Sequence, residues 1–303
     1  MGDVAEVVEV VVDRVRDRVG IGWRDDLAAY IFGNLDRIDL VEVIAENCFD
    51  APGQRRRALK MLAQQVPLTL HGVSLGLAST VAVADWRLER MARLVEEVQP
   101  ESWSEHLAFV RGGGIEIGHL ASPPRTAISV EATATNIARA QRVIGTAPMV
   151  ENVATLVEPP ASTLGESDWI SGIIEQSSAP LLLDLHNLYA NALNFGEEPL
   201  ALMLRLPLHS IRTVHISGGK WIPEPGNEAG GGRRLLDDHI HDVPPEVFAL
   251  LGALASRVPQ GLDVILERDG NFPRSAQLMS QLDAARAALA SGRAERSDGL
   301  AAA

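Results

Sequence analysis

An α/β fold closed into a single barrel of eight parallel strands is what this sequence predicts. Short segments rich in β-branched residues alternate with longer amphipathic ones, the pattern of repeated βα units. Eight such units in roughly 270 residues suit a closed barrel better than an open doubly wound sheet. Seven of the eight strand candidates run from apolar residues directly into His, Asp or Glu. Strands of a (β/α)8 TIM barrel do this where they meet a site built from their βα loops.

In chain order, the first strand is expected at residues 19–23 and the second at 38–46, where Ile38, Leu40, Val41, Val43 and Ile44 dominate. An amphipathic helix over 55–65 separates these from a third strand at 67–72. A helix over 85–98 leads to a fourth strand at 102–106, and a helix over 130–144 to a fifth at 148–152. The sixth strand, 180–185, carries the run Leu181-Leu182-Leu183, as a strand buried on both faces should. A helix over 199–206, a seventh strand at 211–216, a helix over 245–255, an eighth strand at 262–267 and a helix over 275–290 complete the pattern. Residues 19–290 are therefore expected to form the barrel domain. Residues 1–18 are expected to form an extra helix or arm, and residues 291–303 a disordered tail. The connection 218–244 contains Gly226, Gly230, Gly231 and Gly232, and a long Gly-rich loop in a compact domain reads as an active-site lid.

Composition narrows the function classes. The 303 residues are 46% hydrophobic and 22% charged, the balance of a globular protein. Forty acidic residues against 27 basic ones give a net charge of −13, and Lys60 and Lys220 are the only lysines. Nucleic-acid affinity comes largely from Lys and Arg, so a nucleic-acid partner is disfavoured. No apolar run reaches the ~20 residues of a membrane span, so no membrane partner is expected. Asp3, Glu6 and Glu9 stand where a secretory signal places positive charge, and the single cysteine, Cys48, forms no internal disulfide. Both features point to the cytoplasm. Dinucleotide-binding, phosphate-loop and serine-hydrolase motifs are absent.

The strand ends carry the chemistry. They read Glu46-Asn47, His71-Gly72, Ser104-Glu105-His106, Glu151-Asn152, Asp184-Leu185-His186-Asn187, His215 and Glu267-Arg268-Asp269. Buried charge at such positions costs several kcal/mol unless paired or bound to a metal. His71, His106 and His215 supply imidazole, and Glu151, Asp184 and Glu267 supply carboxylate, without any thiolate. A mixed nitrogen and oxygen set suits Fe, Mn or Zn in catalytic use. Six ligands exceed what one open catalytic ion needs, so two or more metals bridged by carboxylate are expected, with these six as the catalytic set. Asp237 and His239, two apart in Asp237-Asp238-His239-Ile240-His241-Asp242, suggest a third metal position. Cys48 reads as a small apolar residue, His209 as structural at the opposite rim, and His119 as a surface residue of a hairpin.

These stretches resemble, in order, the multinuclear non-haem iron-dependent oxidases of the MbnB/TglH type. The matching segments are Glu42-Val43-Ile44-Ala45-Glu46-Asn47, Leu70-His71-Gly72-Val73, Ser104-Glu105-His106-Leu107-Ala108-Phe109 and Val150-Glu151-Asn152. They continue with Leu181-Leu182-Leu183-Asp184 and Asn187, Val214-His215-Ile216-Ser217-Gly218, Asp237-Asp238-His239-Ile240-His241-Asp242-Val243-Pro244, and Leu266-Glu267-Arg268-Asp269. The resemblance implies two to three iron ions and O2 as co-substrate. By the family pattern, His71, His106 and Glu151 hold one iron. Glu151, Asp184, His215 and Glu267 surround a second, bridged by Glu151, and Asp237 and His239, with Asn187, hold a third. Glu46, Asn47, Asn152, His186, His241 and Asp269 are expected to support these ligands. The implied substrate is a residue, typically Cys, of a ribosomally made precursor peptide. A leader-binding partner is expected as a separate chain, since no peptide-binding segment follows the barrel pattern.

The sequence departs from the family pattern at His186, where Asn is usual, at Gly219, where many members place His, and at Cys48, often aromatic. These departures leave the ligands intact and bear on the substrate. Two rival readings share the strand-end pattern: a divalent-metal isomerase or phosphodiesterase on the same barrel, and a non-catalytic metal-holding subunit. The acidity counts against DNA phosphodiesters, and Lys220 is the only lysine near the barrel mouth for an isomerase.

Overall fold

A computed structural model describes residues 16–224, 226 and 231–301. Four strands come first: β1 (Arg18–Gly22), β2 (Val41–Ile44), β3 (Leu68–Gly72) and β4 (Ser102–His106). An antiparallel hairpin of β5 (Phe109–Gly112) and β6 (Ile115–Ala121) follows. Then come β7 (Met149–Glu151), β8 (Leu181–Asp184) and β9 (Ile211–Ile216), a second hairpin of β10 (Gly219–Pro223) and β11 (Arg233–Asp237), and finally β12 (Asp263–Leu266). Pairing runs β1–β2–β3–β4–β7–β8–β9–β12 and back to β1, a closed barrel with every pair parallel. The helices are α1 (Ala28–Phe32), α2 (Glu46–Phe49), α3 (Gly53–Ala63), α4 (Asp85–Val98), α5 (Ala127–Ile144), α6 (Glu166–Ser177), α7 (Leu185–Phe195), α8 (Pro199–Leu204), α9 (Pro245–Ala255) and α10 (Ser275–Ala301).

Alternation along each strand sets what goes where. One parity (Val19, Ile21, Val41, Val43, Leu68, Leu70, Trp103, Val150, Val214, Val264) joins the apolar layer under the helices. The other parity fills the barrel, where Thr213 Oγ1 lies 3.3 Å from Met149 Sδ and the His71 and His215 rings sit 5.2 Å apart. Polar residues thus occupy the barrel interior while the helix-facing layer stays apolar. Helix α4 buries Leu88, Met91, Leu94 and Val98, one stripe at helical spacing. Helix α5 starts at a reciprocal Thr126–Ser129 capping box and ends at Gly145, whose φ of 93° suits glycine.

Several expectations need correction. Residues 291–301, expected to be disordered, continue α10. Arg293 docks that end, hydrogen-bonding Ala255 O at 2.9 Å, Gln260 O at 2.7 Å and the Asp17 carboxylate. Residues 302–303 and 1–15 lie outside the described residues, so the expected arm is represented only by 16–18, of which Arg18 already belongs to β1. The Gly-rich connection is not a bare lid. It carries the β10–β11 ladder, with Gly219 opposite Asp237, and residues 225 and 227–230 at its tip lie outside the described residues. The second strand is shorter than expected because the chain turns into α2 at Glu46. No helix among the described residues is long and apolar enough to cross a membrane.

Candidate metal centre

The strand ends place the predicted groups side by side because the barrel register is fixed. His71 pairs with Ser104, His106 with Glu151, and Asp184 with His215 on adjacent strands. Three sets of buried side chains result, each with ligand atoms within 4.8 Å of one another: His71, His106 and Glu151; Glu151, Asp184, His215 and Glu267; and Glu42, His71 and His215. Glu151 belongs to the first two through different oxygens. Its Oε2 lies 3.4 Å from His71 Nε2 and 3.3 Å from His106 Nε2, while its Oε1 lies 3.1 Å from His215 Nδ1. Glu267 Oε2 is also 3.1 Å from His215 Nδ1.

Tautomers follow from the outer partners of each ring. His106 Nδ1 donates to Gly72 O at 3.2 Å. His71 Nδ1 lies 2.7 Å from Ser104 Oγ, whose own hydroxyl is directed at Leu70 O. Each ring is therefore left with an Nε2 lone pair aimed at Glu151 Oε2. Burial, reinforced for His71 by the other imidazoles, holds His71 well below the usual histidine range and His106 at about 4, so both rings are neutral. Two lone pairs converging on a carboxylate oxygen repel unless a proton or a cation lies between them. Burial pushes the Glu151 carboxyl up to about 7 and Asp184 up to about 8, the latter helped by nearby Asp237. Among the described residues no arginine or lysine pairs with Glu42, Glu151, Asp184 or Glu267, and Glu151 Oε2 and Asp184 Oδ2 are buried without hydrogen-bond partners. A buried, orphaned Glu151 oxygen facing two neutral imidazole nitrogens, with the orphaned Asp184 Oδ2 in the adjoining cluster, is a donor set that fits a metal ion.

Supporting residues hold this geometry. Asn152 clamps the β8 end, accepting from Asp184 N at 2.8 Å and donating to Asp184 O at 3.0 Å. Asp184 is also the N-cap of α7, its Oδ1 accepting from Asn187 N at 2.6 Å. His186 and Asn187 thus lie on the first turn of α7 rather than on the strand end, because the cap starts the helix at Leu185. Asn187 donates to Asn152 O at 3.1 Å, and its Oδ1 is buried without a partner. His186 is fully buried with Nδ1 2.8 Å from Asp237 Oδ1, which also accepts from Ser217 Oγ at 3.1 Å. Gly219 makes room for that ring, since a Cβ there would stand 2.6 Å from His186 Cε1.

Asp237 and His239 face each other, Oδ2 to Nε2 at 2.7 Å, but join none of the three sets. His239 Nδ1 lies 3.5 Å from Glu267 Oε2 and 3.4 Å from Asp269 Oδ2, so this pair borders the centre through Glu267. Burial opposes charge on Asp237, yet His239 and His186 hold its carboxyl down at about 2.

Other expected positions fall further out. Glu46 and Asn47 sit on α2: Glu46 Oε1 accepts from Val73 N at 3.0 Å, while Asn47 is exposed. His241 is half-exposed and pairs with Asp238 at 2.8 Å. Cys48 is buried in the apolar core, and His119 and His209 are exposed. Two buried carboxylates beside the candidate centre were not singled out in sequence. Glu42 lies mid-strand and 3% exposed, with Nε2 of His215 3.1 Å away. Glu105 is fully buried, accepts from Leu75 N and His106 N at 3.0 Å each, and is pushed up to about 8 by burial and by Glu46. For Glu42 the available signal was a glutamate inside the apolar run of β2; for Glu105 it was its place between Ser104 and His106 at the end of β4.

Residues 18–290 match the family described as RiPP precursor modification enzyme MbnB/TglH/ChrH, enzymes acting on ribosomally made precursor peptides. The chain belongs to this family. A UPF0276 protein of Streptomyces avermitilis is 36% identical over 279 residues, covering 89% of this chain and 54% of that one. The chain thus spans about half the length of that relative. A UPF0276 protein of Caulobacter vibrioides is 29% identical, covering 91% and 96% respectively. Among solved structures, an L-ribulose 3-epimerase superposes with a TM-score of 0.59 at 18% identity, covering 95% of this chain and 98% of that one. The D-psicose 3-epimerase of Clostridium cellulolyticum H10 gives 0.56 at 13%, covering 92% and 99%. At such identities the likeness shows the barrel and nothing of the reaction.

Proposed function

We propose that this chain is an iron- and O2-dependent oxidase that modifies a residue, in the first instance Cys, of a ribosomally made precursor peptide. The observation that carries the reading is Glu151, one buried carboxylate that turns one oxygen to His71 and His106 and the other to His215. A carboxylate so placed could be shared by two ions. His71, His106 and Glu151 would hold one iron and Glu151, Asp184, His215 and Glu267 a second. Asp237 and His239, with the unpartnered Oδ1 of Asn187, would hold a third. Iron held there would supply open positions for a substrate sulfur and for O2, and the electrons to reduce it.

The chain's own groups do the rest. Asn152 holds the Asp184 main chain, Ser104 and the Gly72 carbonyl set the His71 and His106 tautomers, and His186 with Ser217 aims Asp237. The only carboxylate-paired lysine near the mouth, Lys220, is half-exposed and 3.7 Å from Asp238 Oδ2, outside the centre, which does not favour a lysine-assisted isomerisation. An open groove of about 530 Å³ lies between the loop after β3 and the β5–β6 hairpin, lined by Val81, Phe109, Arg111 and Ile128. Both loops belong to the rim that carries the centre, so a peptide lying across this face could reach it. Its leader would be held by a separate partner chain, and the whole system would work in the cytoplasm.

Metal analysis with electronic and Mössbauer spectra of protein purified without oxygen tests this. Two to three irons per chain, with O2 consumed only when a Cys-containing precursor is present, is the expected result. Zinc or manganese alone, unchanged after iron is supplied, would move the assignment to hydrolysis or isomerisation.

A further inference from the structure

We propose that Glu42 is a positioning residue for the metal centre: its carboxylate holds the proton of His215 on Nε2 and so turns the Nδ1 lone pair toward Glu151 and Glu267. The proposal rests on those residues holding a metal, not on the reaction the metal performs.

The argument starts from an odd placement. Glu42 is the middle of the Val41-Glu42-Val43 run of β2, three residues buried in succession. An isolated carboxylate there costs several kcal/mol unless it is hydrogen-bonded. Among the described residues its side chain hydrogen-bonds His215 alone, with both carboxylate oxygens 3.1 Å from Nε2. The opposite ring nitrogen, Nδ1, has Glu151 Oε1 and Glu267 Oε2 at the same distance. A neutral imidazole carries one proton and one lone pair. An ion among Glu151, Asp184, His215 and Glu267 takes the lone pair at Nδ1, which leaves the proton on Nε2 facing Glu42.

Glu42 also lies within ligand distance of His71 and His215, and so invites a second assignment, as a metal ligand itself. The nitrogens available rule against it. His71 has spent Nδ1 on Ser104 Oγ and points Nε2 at Glu151 Oε2, where His106 Nε2 also points. One lone pair serves one ion, so an ion between Glu42 and His71 would strip the set that contains His106. The same ion would need a lone pair at His215 Nε2, which removes Nδ1 from the set with Asp184. Placing Glu42 outside both ions satisfies every nitrogen once.

Two measurements test this without peptide or oxygen. In the wild-type protein loaded with zinc as a diamagnetic probe and carrying 15N-histidine, His215 should show a protonated Nε2 and a metal-bound Nδ1, its signals identified by their loss in His215→Gln. A metal-bound Nε2 would overturn the proposal whether or not any variant folds. Zinc titration of Glu42→Gln should then show weakening by about 10- to 100-fold of one binding event, with the other unchanged. In a His215→Ala background the same substitution should change nothing further. Loss of a full zinc equivalent at saturating metal would make Glu42 a ligand, and unchanged affinity would make it a bystander; either sinks the proposal. Failure of the wild-type protein to bind zinc or iron at all would instead remove the metal reading itself, and with it the ground for this role.

Discussion

The two ends of the barrel treat their acidic groups in opposite ways. At the N-terminal end four acidic groups meet arginines: Arg18 with Asp263 at 2.8 Å and Glu101 at 2.8 Å, Arg286 with Asp39 at 3.0 Å, and Arg293 with Asp17 at 2.6 Å. Among the described residues, the carboxylates of Glu42, Glu151 and Glu267 at the C-terminal end meet only histidines, and Asp184 Oδ2 has no hydrogen-bond partner. Arginine cannot surrender its proton, so the first arrangement is permanent and neutralises charge for the sake of the fold. The second arrangement is neutralised only by protons or by ions that come and go. The difference separates a stabilising face from a chemical one within one sheet.

The sharpest way to break the comparison is to remove a group from the chemical end. Asp184→Asn keeps the side-chain oxygen that caps α7 but withdraws the negative charge, and His71→Ala removes one imidazole. Both should abolish metal-dependent oxidation of a precursor peptide, by three orders of magnitude or more on the scale of lost catalytic groups. The circular dichroism of the fold should remain. Turnover retained in both variants would refute the assignment of the centre.

How much of this could be read beforehand differs between the same two faces. Strand positions and their terminal His and Glu residues were legible because period and composition are local, and β4, β9, α4 and α9 start and stop where expected. Glu42 was not legible as part of the site, because its partner lies 173 residues away and only barrel closure brings His215 to it. His186 and Asn187 looked like strand-end groups because Asp184 serves at once as the last residue of a strand and the cap of a helix. The tail beyond residue 290 looked unstructured for lack of an apolar stripe. What holds it is a guanidinium, that of Arg293, filling main-chain carbonyls at the end of α9, and composition does not report that.

A second test uses pH. In the metal-free protein, burial raises the carboxyls of Asp184 and Glu105 to about 8 and Glu151 to about 7. A carboxyl whose folded value lies above its unfolded value stabilises fully below about pH 4 and loses that contribution as pH climbs through 7 and 8. The lowered His71 and His106 act in the opposite sense, but only below about 6.5, where the unfolded histidines titrate. The raised His215 and His239 add to the loss as pH climbs above about 6.5, whereas the depressed Glu267 and Asp237 matter only in acid. Between pH 6.5 and 8 the chelated protein should therefore lose stability, on the order of 1 kcal/mol per pH unit for each of Asp184 and Glu105. Metal-loaded protein, with ions in place of protons at Glu151 and Asp184, should lose less over the same range. Thermal melts of both forms at pH 6.5, 7.2 and 8 measure it, and parallel curves would contradict the exchange of protons for metal.

At the other end of the barrel the expected change is in stability alone. Arg18→Met removes the two guanidinium hydrogen bonds to Asp263, whose side chain is 7% exposed and whose carboxyl burial already lifts to about 6. Breaking a largely buried pair from one side should cost about 2–4 kcal/mol. Denaturant unfolding should report that loss while metal stoichiometry stays that of the wild type. A change in stoichiometry would mean that the two faces are not independent.

The smallest effect is expected at His241, and it sharpens where the chemical face stops. Among the described residues its ring pairs only with Asp238 Oδ1, three residues earlier, and its side chain is 42% exposed, whereas His239, two residues before, is held against Glu267 and Asp269. An exposed pair of this kind contributes little, so His241→Ala should shift unfolding by less than about 0.5 kcal/mol and leave metal content untouched. His239→Ala, by contrast, removes the group between Asp237 and Glu267 and should lower metal content. Since both histidines stand in one short acidic segment and differ in burial more than in sequence context, equal consequences for the two would place the boundary of the centre in the loop as a whole rather than at the side chains that face Glu267.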